Sequence, residues 1–110
     1  GLLSLPVVSP KAVPSGFALP IMISADAPFK RERITSHLED CGVETRPIVA
    51  GNLARQPVAA LFPEFAKRQF PGADQVHERG FYVGLSPLQT DANLERLVGV
   101  FEEFIAAATA

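Results

Sequence analysis

Proline is the residue that most restricts what this chain can fold into. Its ring holds φ near about −65° and removes the backbone N–H, so each proline closes off the interior of a helix or of a central strand. The sequence carries ten of them. Pro6, Pro10, Pro14 and Pro20 interrupt the apolar-rich stretch near the start, and no run reaches the roughly 20 residues that a membrane span needs. Residues 1–16 have little periodicity and read as an extended connector arriving from something upstream. Pro28 falls where a helix can begin without losing a hydrogen bond, and Pro47 points to an edge strand, a bulge or a break. Pro57 suits the first residue of a short helix over Val58–Phe62 that Pro63 ends.

Between the prolines the hydrophobic pattern supplies the elements. Phe17–Ser24, FALPIMIS, reads as a strand bounded by Gly16 and by Asp26-Ala27-Pro28. Asp26 is placed to cap a helix whose apolar stripe is Ile34, Leu38 and Cys41, and Gly42 is its left-handed stop. Val43–Ala50 is the second strand, and its pleat puts Glu44 and Arg46 on one face. A turn at Gly51-Asn52 leads to a helical turn over Leu53–Gln56, and residues 63–72 are irregular or weakly helical. Ala73–Arg79 is a short helix closed by Gly80, and Phe81–Leu85 is the third strand. The last element is an amphipathic helix capped by Thr90, with Leu94, Leu97, Val98, Phe101, Phe104 and Ile105 as its stripe. The order β-α-β-α-(α)-β-α predicts an α/β (α+β) fold, a small three-stranded sheet with helices on one face. At 110 residues and 47% hydrophobic the chain is sized for one core, which buries only about two thirds of the unfolded surface and predicts modest stability.

Several function classes are excluded by what is missing. A net charge of −2 with scattered Lys and Arg gives no stripe for a nucleic-acid backbone. There is no GxGxxG, Walker loop, GxSxG, CxxC or HExxH, and one cysteine with two distant histidines cannot build a zinc cage. The start has no charged leader, and Cys41 alone forms no internal disulfide, so a soluble protein of the reducing cytoplasm is expected. The first residue is Gly rather than Met, which is read as a cut through a longer polypeptide.

Few residues are left as candidates for chemistry. His37 on a helix surface and His77 near a helix end have no partners in the sequence, and Cys41 reads as a small buried hydrophobe. Phe81-Tyr82 reads as core plus a rim tyrosine, with ring stacking as the functional alternative. The segment from Glu44 to Leu53 differs: a carboxylate and a guanidinium share a face and run into a Gly51-Asn52 turn able to expose N–H donors, a layout suited to an anionic or polyhydroxyl ligand. The competing reading is an ion pair on a solvated face followed by an ordinary turn.

The run Gly42-Val43-Glu44-Thr45-Arg46-Pro47-Ile48-Val49-Ala50-Gly51-Asn52 resembles the G-[IV]-E-T-R-P-[IV]-x-x-G-N motif of DegT/DnrJ-type sugar aminotransferases and dehydrases. Pro14–Pro20 resembles the family's P-S-W-F-G-F-P segment, Ala73–Gly84 its A-D-x-[VL]-x-x-x-G-[FL]-[YF]-[VI]-G segment, and Phe101–Phe104 its last helix. Gly16 stands where tryptophan is usual. The resemblance implies the C-terminal small domain (residues 17–110, with 1–16 the connector from a large domain) of a fold-type I enzyme dependent on pyridoxal phosphate (PLP). Such enzymes are usually homodimers that act on nucleotide-linked keto-deoxysugars, with an amino donor in the transaminating branch. It also implies that the Schiff-base lysine, a histidine in the 3-dehydrase branch, lies in the large domain, because Lys11, Lys30 and Lys67 match no motif for it; this chain alone is then expected to be inactive. By the same resemblance Glu44 lies near cofactor and sugar, and Arg46, Gly51 and Asn52 border the cleft. The version Gly-Asn-Leu-x-x-Gln-Pro leans slightly towards the dehydrases, although aminotransferases share it, and the choice between transamination and 3-dehydration stays open. A rival is a free-standing α/β ligand-binding or dimerisation module; a severed domain should instead leave an apolar face bare.

Overall fold

A computed structural model describes residues 1–110. In chain order the elements are β1 (Leu3–Ser4), β2 (Ala18–Ile23), α1 (Arg31–Asp40), β3 (Thr45–Pro47), three 3₁₀ turns (Leu53–Arg55, Pro57–Leu61 and Pro63–Lys67), α2 (Pro71–Arg79), β4 (Gly80–Gly84) and α3 (Asp91–Thr109). The strands form one antiparallel sheet in the order β1-β2-β4-β3.

The pleat decides which side of the sheet is core. Register pairs Leu19 with Val83 and Ile21 with Phe81, so these residues and Ile23 share one face. Ile34 and Leu38 of α1 and Val100 and Phe104 of α3 complete a single buried cluster with them. Each such side chain, fully buried, contributes about 1.5–3 kcal/mol. The opposite face carries Pro20, Met22 and Tyr82, all half-buried.

Four strands replace the three predicted. The added strand, β1, lies inside the stretch read as connector, where Leu3 pairs with Ile23 and the Ser24 N–H donates to the Leu2 carbonyl at 2.8 Å. Two residues leave no periodicity to detect; the open edge of β2 recruits them. Pro47 does lie in an edge strand, β3, but that strand is shorter than Val43–Ala50. Its start is consumed by the helix stop: Gly42, at φ +79°, donates to Glu39 O at 2.9 Å, and Val43 donates to Leu38 O at 2.8 Å, a Schellman pair. Its end is turned by Val49 at φ +48° and Gly51 at φ +62°.

The first helix also starts later than predicted, and Asp26 does not cap it. Lys30 occupies the N-cap without a side-chain bond, while the Asp26 N–H donates to Ser24 Oγ at 3.3 Å. Burial explains the delay. Phe29 is 7% exposed and packs edge-to-face on Phe104 at 4.8 Å, which holds residues 28–30 out of the helix. α2 begins at Pro71, an N1 proline, rather than at Ala73. α3 has the predicted cap: Thr90 Oγ1 accepts from Asn93 N at 3.2 Å and Asn93 Oδ1 accepts from Thr90 N at 3.1 Å. Of its stripe, Val100 and Phe104 anchor the core, whereas Leu94 and Val98 stay exposed.

The radius of gyration is 16.0 Å, against about 13 Å for a compact domain of this length. Residues 5–17 and 53–70 contain no buried residue. No helix is long and apolar enough to cross a membrane.

Candidate functional site

Glu44 and Arg46 are turned outward by the residue between them. Thr45, 6% exposed, faces the core and donates its hydroxyl to Glu39 Oε1 at 2.6 Å, so its neighbours project to the other side. There the Arg46 guanidinium pairs with the Glu44 carboxylate and also donates to the Thr45 carbonyl at 3.1 Å. The two side chains are 58% and 73% exposed, and pairs this wet add about 0–1 kcal/mol to stability. The structure therefore has the ion pair on a solvated face that the competing reading expects, a pair that adds little to the fold.

Across the ladder Arg46 stands opposite Tyr82, whose ring packs edge-to-face on Phe17 at 6.2 Å. Phe17, Tyr82, Glu44 and Arg46 form one side of a cleft of about 570 Å³, and Asn93 and Arg96 from the first turns of α3 form another. Arg96 is held by the Cys41 carbonyl at 2.5 Å. Two guanidinium groups, one carboxylate, the amides of Gln89 and Asn93 and two aromatic rings thus line a volume suited to a small molecule. Bidentate guanidinium donors recognise anionic oxygens, and the carboxylate and amide recognise hydroxyls.

Gly51 and Asn52 lie elsewhere. Gly51 borders a smaller cavity of about 200 Å³ together with Pro47, Val76 and His77. The expectation that this turn exposes N–H donors is corrected by its hydrogen bonds: Gly51 N donates to Ile48 O at 2.8 Å and Asn52 N to His77 Nδ1 at 3.1 Å. The Asn52 side chain is occupied as well. Its Nδ2 donates to Asp74 Oδ1 at 2.8 Å and its Oδ1 caps the first 3₁₀ turn by accepting from Ala54 N at 2.9 Å. Asn52 is 4% exposed. A buried amide needs such partners, and α2 supplies two of them, His77 and Asp74, while Ala54 of the first 3₁₀ turn supplies the third.

A third cleft, about 850 Å³, is bordered by Lys30, Arg31, Arg55, Glu78 and Arg79. Most of its charge is already matched. Arg55 donates to Glu78 at 2.7 Å and to Asp74 at 3.4 Å, and the bond to Glu78 is the main cause of a guanidinium pKa raised above its ordinary value. Cys41 is half-buried against the core, with its Sγ 3.9 Å from His37 Nε2. No group of three or more His, Cys, Asp and Glu side chains converges as a metal site would require.

Sequence reasoning missed Asn93, Arg96 and Phe17 as cleft residues, and Arg31 and His77 as the frame of the turn. Asn93 and Arg96 carried a usable signal, being three apart on one helix face. The bond from Arg31 to the His77 carbonyl, 46 residues away, carried none.

A model of the DegT/DnrJ/EryC1/StrS aminotransferase family matches residues 3–102, and this chain belongs to that family. It is 36% identical over 109 residues to a dTDP-4-dehydro-2,6-dideoxy-D-glucose 3-dehydratase of Saccharopolyspora spinosa, covering 99% of this chain and 23% of the relative. It is 31% identical over 102 residues to the lipopolysaccharide biosynthesis protein RfbH of Salmonella typhimurium, covering 93% and 23%. Among solved structures the fold matches the aminotransferase TlmJ of Streptoalloteichus hindustanus with a TM-score of 0.71 at 22% identity, over 99% of this chain and 28% of that one. It also matches E. coli GDP-4-keto-6-deoxy-D-mannose-3-dehydratase with bound hydrated PLP, with a TM-score of 0.64 at 22% identity, over 76% and 22%. The chain thus spans about a quarter of the length of these relatives.

Proposed function

We propose that this chain is the C-terminal small domain of a PLP-dependent enzyme that removes the 3-hydroxyl of a nucleotide-linked keto-deoxysugar, or transfers an amino group to it, in polysaccharide or glycoside biosynthesis. The family match across residues 3–102 carries the reading. Relatives named as 3-dehydratases favour dehydration over transamination. Residues 1–16 lead in from a large domain and residues 17–110 form the small one. Large apolar side chains left exposed, among them Phe17 at 78%, Leu61 at 75% and Leu88 at 86%, fit a domain whose neighbour covers them. The active unit is a homodimer in the cytoplasm.

The residues of this chain do not by themselves hold the cofactor. None of Lys11, Lys30 and Lys67 borders the Glu44–Arg46 cleft, which supports a catalytic lysine or histidine in the large domain and an isolated chain that is inactive. PLP, when bound there, supplies the electron sink. The part of this chain is to cover and orient the sugar. Glu44 accepts a hydrogen bond from a sugar hydroxyl or orients the catalytic side chain. Arg46 balances the charge of Glu44 or meets an anionic group, while Gly51 and Asn52 set the path of the loop that follows.

The test uses the full-length polypeptide. With PLP it should show the visible absorbance of bound cofactor and consume a nucleotide-linked 4-keto-6-deoxysugar, and product analysis distinguishes loss of the C3 hydroxyl from gain of an amino group. Glu44→Gln should lower kcat about 100-fold, the low end for a positioned acid–base group. A full-length polypeptide that binds no PLP overturns the reading and favours a free-standing α/β ligand-binding or dimerisation module.

A further inference from the structure

Three segments distant in sequence meet at His77. Gly51, at φ +62°, lies so close that a Cβ there would stand 2.6 Å from His77 Nδ1 and 2.9 Å from its Cα. Only glycine allows that approach. The Asn52 N–H, in a residue 4% exposed, donates to His77 Nδ1 at 3.1 Å. On the other side, Arg31 Nη1 donates to the His77 carbonyl at 2.6 Å and to the Gly80 carbonyl at 3.3 Å, fixing the end of α2 against the start of α1. One turn earlier on α2, Asp74 accepts from the Asn52 side chain at 2.8 Å.

This geometry dictates a protonation state. A backbone N–H buried in a turn requires an acceptor, and the acceptor here is the Nδ1 lone pair, so the ring proton sits on Nε2. A second proton can only go to Nδ1, where it faces the Asn52 N–H and removes the bond. The surrounding charges offer the imidazolium no free carboxylate. Asp74 is bonded to Asn52 and Arg55, Glu78 to Arg55, and Glu32 lies 3.7 Å from Arg31. The other charged groups lining the cleft that His77 shares are cations: Lys30, Arg31, Arg55 and Arg79.

We propose that His77 is a positioning residue whose neutral imidazole latches the Gly51-Asn52 turn, and with it the chain leaving Glu44 and Arg46, onto α2, and whose protonation releases that turn. Its bearing on catalysis rests on the function proposed above, whereas the latch itself is a property of this chain.

The test is the ¹H–¹⁵N spectrum of the full chain between about pH 8 and about pH 5, the range in which imidazoles change charge. The Asn52 amide shift is expected to follow the titration of the His77 ring nitrogens. Its solvent exchange, corrected for intrinsic pH dependence, should quicken about tenfold on protonation, the equivalent of losing one hydrogen bond. H77N places an oxygen acceptor the same number of bonds from Cα as Nδ1 and does not titrate, so its Asn52 amide should stay protected and flat across the range. H77L removes the acceptor and should leave the amide exchanging fast at every pH; if H77L does not fold, wild type and H77N decide the matter. An Asn52 amide that ignores the titration of His77, or one that shows the same pH dependence in H77N, overturns the latch. No cofactor or substrate enters the measurement, so failure here leaves the proposed activity standing, and failure of that activity leaves the latch.

Discussion

The sheet core and the stretch from residue 53 to residue 70 are held by different forces. In the core, Ile34, Leu38 and Phe81 are fully buried at 0% exposure, and each depends on side chains brought from other elements. The 3₁₀ stretch has no buried residue, and its backbone is closed by local bonds, such as Ala59 N to Gln56 O and Phe62 N to Ala59 O, both at 3.0 Å. Its apolar side chains meet one another: Phe65 packs on Phe62 at 5.5 Å and on Phe70 at 6.0 Å, with Arg68 over the Phe70 ring at 5.2 Å. A segment satisfied locally can keep its path without adding much to global stability. The Gly51-Asn52 turn stands on the seam, and α2 ties it to both.

The contrast can be broken or sharpened by four substitutions, read by chemical denaturation. Phe81→Ala should have the largest effect, about 3–5 kcal/mol, because it leaves a cavity among side chains from β2, α1 and α3. Gly51→Ala comes next at about 1–3 kcal/mol, since a Cβ in the left-handed region meets the His77 backbone and the turn must shift; a neutral result would mean that the seam is looser than its geometry. Thr90→Ala should lose about 1 kcal/mol of helix capping and leave the slope with denaturant unchanged. Phe62→Ala should cost least, below about 1 kcal/mol, because only an exposed aromatic pair is lost. If Phe62→Ala approaches Phe81→Ala, the two regions form one cooperative core and the comparison fails.

Much of the fold was legible because its signals are local. The Thr90 cap, the Gly42 stop, the edge position implied by Pro47 and the β2 and β4 runs all rest on φ restrictions or on period-2 and 3.6-residue patterns. Asp26 misled for a physical reason: its cap signal is real in isolation, but burying Phe29 against Phe104 outweighs it and moves the helix start to Arg31. β1 was invisible because two residues carry no period, and only the vacant edge of β2 selects them.

The candidate site divides along the same line. That Glu44 and Arg46 share a face follows from strand alternation. That Phe17, Asn93 and Arg96 join them, while Gly51 and Asn52 turn away to α2, depends on how four separate elements pack.

The amino-acid sequence by itself determined the family, the order of most elements and the residues at which each must stop, since these depend on backbone restrictions and motifs a few residues long. Tertiary structure alone decided the fourth strand, the late start of α1, the membership of the cleft and the tautomer of His77. Each of those is a choice between partners far apart in the sequence, and burial and hydrogen-bond satisfaction in the folded chain settle such choices.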